Sequence, residues 1–480
     1  MPVSAAYRPD PRLPALGPEF GDPVGAADFP ETILRFRNDR AAATVGLETL
    51  TDDEWVAHFG RFQPLPGNID PPLALRYHGH QFRTYNPDLG DGRGFLFAQL
   101  REAGPSERGI GRLLDLGTKG SGRTPWSRSG DGRLTLKGGV REVLATAMLE
   151  ALGVPTSRSF SLIETGEALE RGDEPSPTRS SVLVRLSHSH IRFGSFQRHA
   201  FFDSAERIAA LTDHVVETYY PELTDAEERG SAVLAAVSAR MARLTARWMA
   251  AGFVHGVLNT DNMSLTGESF DYGPYRFLPT SDPNFTAAYF DSTGLYAFGR
   301  QPEAVFWNLQ RLAGCLTLTT SSDALVAALS GFGAAYQREL AAAVRERLGV
   351  AARTPEEDQA LAQALFRALA EGGDELRWEP LFFDWFCGDE GRALKGPRAG
   401  LYGGEAFADF RRLLGTYAPD RPERLADAYF AREEPQELLY DEIEAIWAEI
   451  AEGDDWRAFH AKLASLEAAR RAWGLPAQGA

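Results

Sequence analysis

The chain has 480 residues, 44% apolar and 24% charged, enough apolar surface for sizeable packed cores without disulfide or metal staples. Its 67 acidic residues outnumber 50 Lys and Arg, and the formal charge of −17 argues against general nucleic-acid binding, which needs a basic face. Only two cysteines occur, Cys315 and Cys387, which rules out a disulfide framework and a cysteine-based zinc site; with no signal-peptide core and no membrane-length apolar run, a reducing, cytoplasmic location away from membranes is expected.

Residues 1–70 are Pro-rich and irregular, with one helix expected near Thr51–Phe59, and read as an extension wrapped on the rest of the chain. Between residues 71 and 200, short apolar runs bounded by Gly predict strands at Gly94–Leu100, Arg112–Leu116, Ser180–Leu186 and Ile191–Phe196. Among them Lys137–Leu152 has helical spacing, because Val140, Val143, Leu144, Ala147, Met148 and Ala151 share one face and Gly153 is a natural stop. From 201 to 480 helical patterns dominate: Thr224–Ala251, Pro302–Leu312, Ser322–Leu348, Pro355–Ala370, Glu405–Leu414, Pro435–Glu452 and Trp456–Trp473. A small β-rich N-terminal lobe with one key helix, followed by a large helical C-terminal lobe with extra C-terminal helices, is the order of an α+β, protein-kinase-like two-lobed fold.

Residues 255–262 read His-Gly-Val-Leu-Asn-Thr-Asp-Asn and are followed by Asp271-Tyr272-Gly273. In the kinase register H-R-D-x-x-x-x-N, then D-F-G, the third residue is the base, and the final Asn and later Asp hold metal. Val257 stands in the base's place, while Asn262 and Asp271 keep two hard oxygen ligands suited to Mg²⁺ or Mn²⁺, with Met263–Leu265 expected as a strand between them. A chain that keeps the metal ligands and drops the base is either a dead kinase or an enzyme running different nucleotide chemistry in the same site.

Upstream, Lys119 ends an apolar run, where a lysine reaches nucleotide phosphates if an acid holds it; Glu142 on the predicted helix is the candidate. Two loops, Leu89-Gly90-Asp91-Gly92-Arg93 and Ser129-Gly130-Asp131-Gly132-Arg133, can bring backbone N–H groups close to phosphates, although D-G is also a plain hairpin signal. If Ser187–His190 is a hairpin loop, Arg185 stands opposite Arg192, a repulsive pair that an anion between them would reverse. The pairs His78/His80 and His188/His190 lack the spacing of a metal site, and no G-x-S-x-G elbow supports hydrolase chemistry.

The ordered set Tyr77–Phe82, Leu89–Arg93, Lys119–Pro125, Ser129–Arg133, Val140–Glu142, Ile191–Gly194, His255–Asn262 and Asp271–Pro274 resembles the selenoprotein O (YdiU-like) family of pseudokinase-fold protein adenylyltransferases. The resemblance implies ATP bound flipped relative to a kinase, so that AMP passes to Ser, Thr or Tyr hydroxyls of protein substrates and pyrophosphate leaves. It implies that Lys119, paired with Glu142, holds phosphates, that Arg185 and Arg192 bind the outer phosphates, and that Gly90, Gly92, Arg93, Asp131 and Gly132 line the nucleotide pocket. Asn262 and Asp271 would ligate Mg²⁺ or Mn²⁺, Asp271 would also face the nucleotide, and Asp261 would accept the proton, four places beyond Val257. The Cys-Asn-His stretch expected after D-P-x-F, the R-N-Y segment and a cysteine within Pro476–Ala480 are missing, so a redox switch through those cysteines is not expected. A monomer is expected. Phosphoryl transfer with Asp261 as base, UMP transfer from UTP, and a catalytically silent nucleotide-binding pseudokinase are the other readings left open.

Overall fold

The computed structural model describes residues 3–104, 111–172 and 174–475, so Pro476–Ala480 lie outside the described residues. Its strands are β1 (Gly21–Pro23), β2 (Ile33–Arg37), β3 (Leu73–Leu75), β4 (Gly79–Gln81), β5 (Thr84–Asn86), β6 (Leu96–Arg101), β7 (Leu113–Lys119), β8 (Leu134–Thr135), β9 (Arg158–Leu169), β10 (Thr178–Ser187), β11 (Phe253–Val254) and β12 (Arg276–Phe277). Eight of them form a curled antiparallel sheet in the order β1-β3-β6-β7-β10-β9-β2, with β8 on β10; β4–β5 and β11–β12 are separate ladders. The central strand β7 is buried along its whole length, which is why it reads as an apolar run rather than an alternation.

The two faces of the sheet serve different cores. Val182 and Val184 of β10 point with Phe97 and Phe160 toward helix α2 (Asp52–Phe59), which follows the short α1 (Asp39–Ala43). Leu183 points the other way, with Leu96 and Leu162, toward Val140, Val143 and Leu144 of helix α3 (Leu136–Ala151). Helix α2 begins with a capping box between Thr51 and Glu54, and its Trp55 stacks on Phe160 at 4.8 Å and donates Nε1–H to Ser161 Oγ at 2.9 Å. Residues 1–70 therefore supply both outermost strands, β1 and β2, as well as α2.

The remainder is helical: α4 (Phe193–Phe201), α5 (Ala205–Tyr219), α6 (Arg229–Ala250) and α7 (Gln301–Leu316), then further helices to residue 473. The long helix α6 ends at Ala250 and delivers β11, whose pairing with β12 brackets residues 255–275. Helix Arg457–Trp473 packs along α3, and Lys137 of α3 pairs with Glu444 at 2.7 Å.

Several predicted elements are redrawn. Ile191–Phe196 is not a strand: Arg192 is the N-cap of α4, and β10 pairs with β7 and β9, so Arg185 lies opposite Gly117 and Ser159 rather than Arg192. Met263–Leu265 reduces to one bridge, Ser264 to Arg192. The single helix expected over 322–348 is two, Ser322–Ser330 and Phe332–Leu348, meeting at Gly331. Strand β9 escapes the pattern because its buried positions include Ser159, Ser161 and Thr165, small polar residues that look solvent-facing until Thr146, Trp55 and Ser180 are seen to bond them. No helix of the described residues is long and apolar enough to cross a membrane.

Because Trp55 is fully buried between α2 and the sheet, Trp55→Ala is expected to lower the unfolding free energy by about 3–5 kcal/mol, read from urea unfolding; a loss below about 1 kcal/mol would contradict this packing.

Candidate functional site

The last residue of β7 sets the site. Lys119 is buried and its Nζ donates to Glu142 Oε1 on α3 and to Asp271 Oδ1, so one ammonium joins sheet, helix and the loop after β11. Asp271 holds a left-handed backbone, φ 67°, a conformation that asparagine and aspartate tolerate better than most residues. Burial alone would push its carboxyl up, but Lys119, Arg185, Arg192 and Arg93 outweigh burial and hold it well below the usual carboxylate range.

Arg185 and Arg192 converge on the same cleft from different elements. Arg185 Nη1 lies 3.5 Å from Asp271 Oδ1, and Arg192 donates to the Asp261 carbonyl at 2.9 Å and to Asp91 Oδ1 at 3.2 Å. Both guanidinium groups sit near the Phe270 ring, at 5.8 and 5.0 Å, and both are buried. Arg185 Nε and Nη1 and Arg192 Nε nevertheless have no hydrogen-bond acceptor. Buried donors left without a hydrogen bond cost about 1–3 kcal/mol each.

The loop carrying Asp261 is fixed at many points. His255 donates its Nε2–H to the Phe270 carbonyl at 3.0 Å and its backbone N–H to Gln301 Oε1 at 3.0 Å, and Asn308 donates to the Leu258 carbonyl at 2.8 Å. Asn259 Oδ1 accepts from the Phe82 N–H and the Tyr296 hydroxyl, and Thr260 Oγ1 accepts from the His80 N–H while donating to Gln197. Asp261 comes next in the chain, with Oδ1 unpartnered. Burial pushes its carboxyl up to about 6, against the pull of Arg192 and with a further push from Asp271. Gly79 is required beside it, since a Cβ there would stand 2.8 Å from Asp261 Oδ1.

Ten of the twelve predicted residues, Gly90, Gly92, Arg93, Lys119, Asp131, Gly132, Arg185, Arg192, Asp261 and Asp271, line one cleft of about 640 Å³. Glu142 lies behind Lys119. Asn262, next in the chain to Asp261, does not line the cleft; its amide nitrogen donates to the Val257 carbonyl at 3.0 Å, which leaves its Oδ1 without that partner. The glycines of the first loop have a packing reason as well as a place at the cleft: a Cβ on Gly90 would enter the Trp126 ring, and one on Gly92 would stand 2.8 Å from the Trp126 carbonyl. Asp131 has its carboxylate engaged by Arg171 at 2.8 Å. Asp91, Trp126, Phe270, Gly79 and Gln81 complete the surroundings. Tyr77–Phe82 stands out as a sequence motif, but nothing in one sequence says that it folds against residues 259–261.

Asn262 Oδ1 and Asp271 are the hard oxygens that could hold Mg²⁺ or Mn²⁺, an ion that would draw its other ligands from phosphate and water. Among the described residues no group of three or more His, Cys, Asp or Glu side chains forms an all-protein metal cage. Cys315 and Cys387 are buried and unpaired, and burial pushes the Cys315 thiol up to about 12.

A lysine fixed by a helix carboxylate and two arginines converging on one cleft make a cationic site, and comparison with known proteins gives the class as nucleotidyltransferase. The model of the family "Protein adenylyltransferase SelO" matches residues 3–385. A protein nucleotidyltransferase YdiU of Synechocystis sp. is 46% identical over 482 residues, spanning 95% of this chain and 97% of the relative. Its namesake in Synechococcus elongatus is 45% identical, spanning 95% and 94%, and that of Aeromonas salmonicida 40% identical, spanning 73% and 71%. The chain belongs to the SelO family of protein adenylyltransferases.

The raised carboxyl of Asp261 sets a pH dependence in metal-free protein. A folded-state value of about 6 against 3.8 means that ionisation disfavours the folded chain: nothing is lost below 3.8, the loss grows to about 6, and it is complete above. Two pH units correspond to about 3 kcal/mol. Asp261→Asn is therefore expected to gain about that much in unfolding free energy, relative to the unaltered chain, between pH 4 and pH 8; a pH-independent difference would contradict the desolvated carboxylate.

Proposed function

We propose that the chain transfers AMP from ATP to Ser, Thr or Tyr hydroxyls of protein substrates and releases pyrophosphate, using Mg²⁺ or Mn²⁺. The observation that carries this reading is the convergence of Lys119, Arg185 and Arg192 on the cleft that also holds the desolvated Asp261. On it, Arg185 and Arg192 take the β- and γ-phosphates, and Lys119, held by Glu142, takes further charge on the phosphate chain. Transfer of AMP, the chemistry of the family to which the chain belongs, then requires the α-phosphorus to lie nearest Asp261. Its carboxylate accepts the proton of the incoming hydroxyl as the new O–P bond forms, and the bond from the α-phosphorus to its bridging oxygen breaks. The charge that develops on the departing pyrophosphate meets guanidinium donors already in place, so little reorganisation is needed. A Mg²⁺ or Mn²⁺ ion held through Asn262 and Asp271 supplies charge neutralisation and alignment of phosphate oxygens. Gly90, Gly92, Arg93, Asp131 and Gly132 contribute the wall along which the rest of the nucleotide lies.

The architecture we propose for this chemistry is a protein-kinase-like two-lobed fold, with residues 71–200 as the nucleotide-binding lobe, 201–480 as the helical lobe and 1–70 as an extension packed on them. The order β7, α3, catalytic loop, Asp-Tyr-Gly supports it, with Lys119–Glu142 in the place of the kinase lysine–glutamate pair.

Incubation with ATP and Mn²⁺ or Mg²⁺ followed by intact-mass measurement is expected to show AMP-sized adducts on the chain or on an added protein. Phosphate-sized adducts would contradict the reading, and the same assay with UTP reports donor choice. Asp261→Ala is expected to lower transfer by about 100-fold or more while leaving ATP affinity nearly unchanged, and Lys119→Ala to weaken both.

A further inference from the structure

We propose that Asp91 is a positioning residue: its carboxylate fixes the Arg192 guanidinium, so that the Gly90–Gly92 loop and the main chain of Asp261 are set as one unit. The consequence for rate rests on the reading of Asp261 as the group that accepts the substrate proton. Asp91 lines the cleft between Gly90 and Gly92, where a carboxylate repels a bound polyphosphate unless a cation neutralises it. The Asp91 N–H donates to the Leu75 carbonyl at 3.0 Å and Oδ2 accepts the Leu75 N–H at 3.1 Å, so the residue docks on the end of β3 as a neighbouring strand would. Its carbonyl accepts from Thr124 Oγ1 at 2.6 Å. The remaining polar atom, Oδ1, accepts from Arg192 Nη2 at 3.2 Å.

The other terminal nitrogen of the same guanidinium, Nη1, donates to the Asp261 carbonyl at 2.9 Å. A guanidinium is rigid and planar, so holding one terminal nitrogen sets the direction of the other. The Tyr77 and Phe270 ring centres lie 4.5 and 5.0 Å from the guanidinium carbon, and they attract the cation without choosing which way its nitrogens point. Asp91 supplies that direction. The contact is shielded, with side chains 11% and 6% exposed for Asp91 and Arg192, so water and salt screen it little. The result is a continuous path from β3 through Asp91 and Arg192 to the main chain of Asp261, two loops 170 residues apart in sequence sharing one support.

Asp91→Asn and Asp91→Ala separate this role from simple support of the loop. The Leu75 N–H can only donate, so it keeps the oxygen of an asparagine and turns the amide N–H groups toward Arg192, whereas alanine removes both contacts. AMP incorporation from radiolabelled ATP into casein and into the chain itself is measured with Mn²⁺, beside the KM for ATP and the thermal midpoint, and hydrogen exchange is followed at residues 89–93 and 259–264. Asp91→Asn is expected to lower kcat roughly tenfold with the KM for ATP within about threefold, because Lys119, Arg185 and Arg192 keep their charges. It is also expected to speed exchange at 259–264 several-fold, while exchange at 89–93 and the midpoint stay close to those of the unaltered chain. Asp91→Ala is expected to lose at least as much rate and to speed exchange in both segments. An unchanged kcat in Asp91→Asn, a loss confined to Asp91→Ala, a loss expressed in the KM for ATP instead of kcat, or faster exchange at 89–93 alone would each overturn the proposal. An unaltered chain that adds AMP to neither acceptor would overturn the functional reading; the exchange measurement, which needs no turnover, still decides whether Asp91 governs the main chain of Asp261.

Discussion

Lys119 sits where water is nearly excluded and divides its charge between two carboxylates from distant parts of the chain, Glu142 of α3 and Asp271 beyond the 255–262 loop. Removing one member of such a buried set typically costs about 3–5 kcal/mol, because the others are left uncompensated. The set therefore acts as a geometric lock: β7, α3 and the Asp271 turn come together in one arrangement. Much of the surrounding packing serves that lock. Val140, Val143 and Leu144 press α3 on Leu162 and Leu183 of the sheet, and helix Arg457–Trp473 with the Lys137–Glu444 pair closes its outer side.

Asp261 and Asp271 are ten residues apart in sequence, share a cleft and are driven in opposite directions. Asp271 is surrounded by cations that keep it ionised, while Asp261 is desolvated and reluctant to hold charge. Pairs of acids whose surroundings separate their proton affinities are a general way to divide labour in an active site. The division suits a proposed metal ligand on one side and a proton acceptor on the other. It also gives Val257 a physical context: the carboxylate proposed as the base stands four residues later, at Asp261, where Gly79 leaves room for it.

The parts legible in the sequence were those whose signal is local. The face of α3, the helix near Thr51–Phe59 and the 255–262 and 271–273 registers are carried by neighbouring residues, and the structure brings Lys119 and Glu142 together as the sequence suggested. What sequence could not yield were pairings across long stretches. Arg185 and Arg192 do meet over Phe270, yet as a strand residue and a helix cap, so the hairpin inferred for them was the wrong cause of a real proximity. Strand β9 was hidden by buried Ser and Thr whose partners lie on other elements, and Gly90 looked like a phosphate contact while its nearest constraint is the Trp126 ring. The place of Gly79 likewise emerges only once β4–β5 is seen against residues 259–261.

The direction in which the nucleotide lies decides which phosphorus is attacked, and a crystal structure with a non-hydrolysable ATP analogue and Mn²⁺ is the sharpest test of it. The terminal phosphates are expected against Arg185 and Arg192, with the α-phosphate nearest Asp261. A γ-phosphate beside Asp261, with the adenine ring lying where the arginine wall stands, would overturn the proposed transfer of AMP.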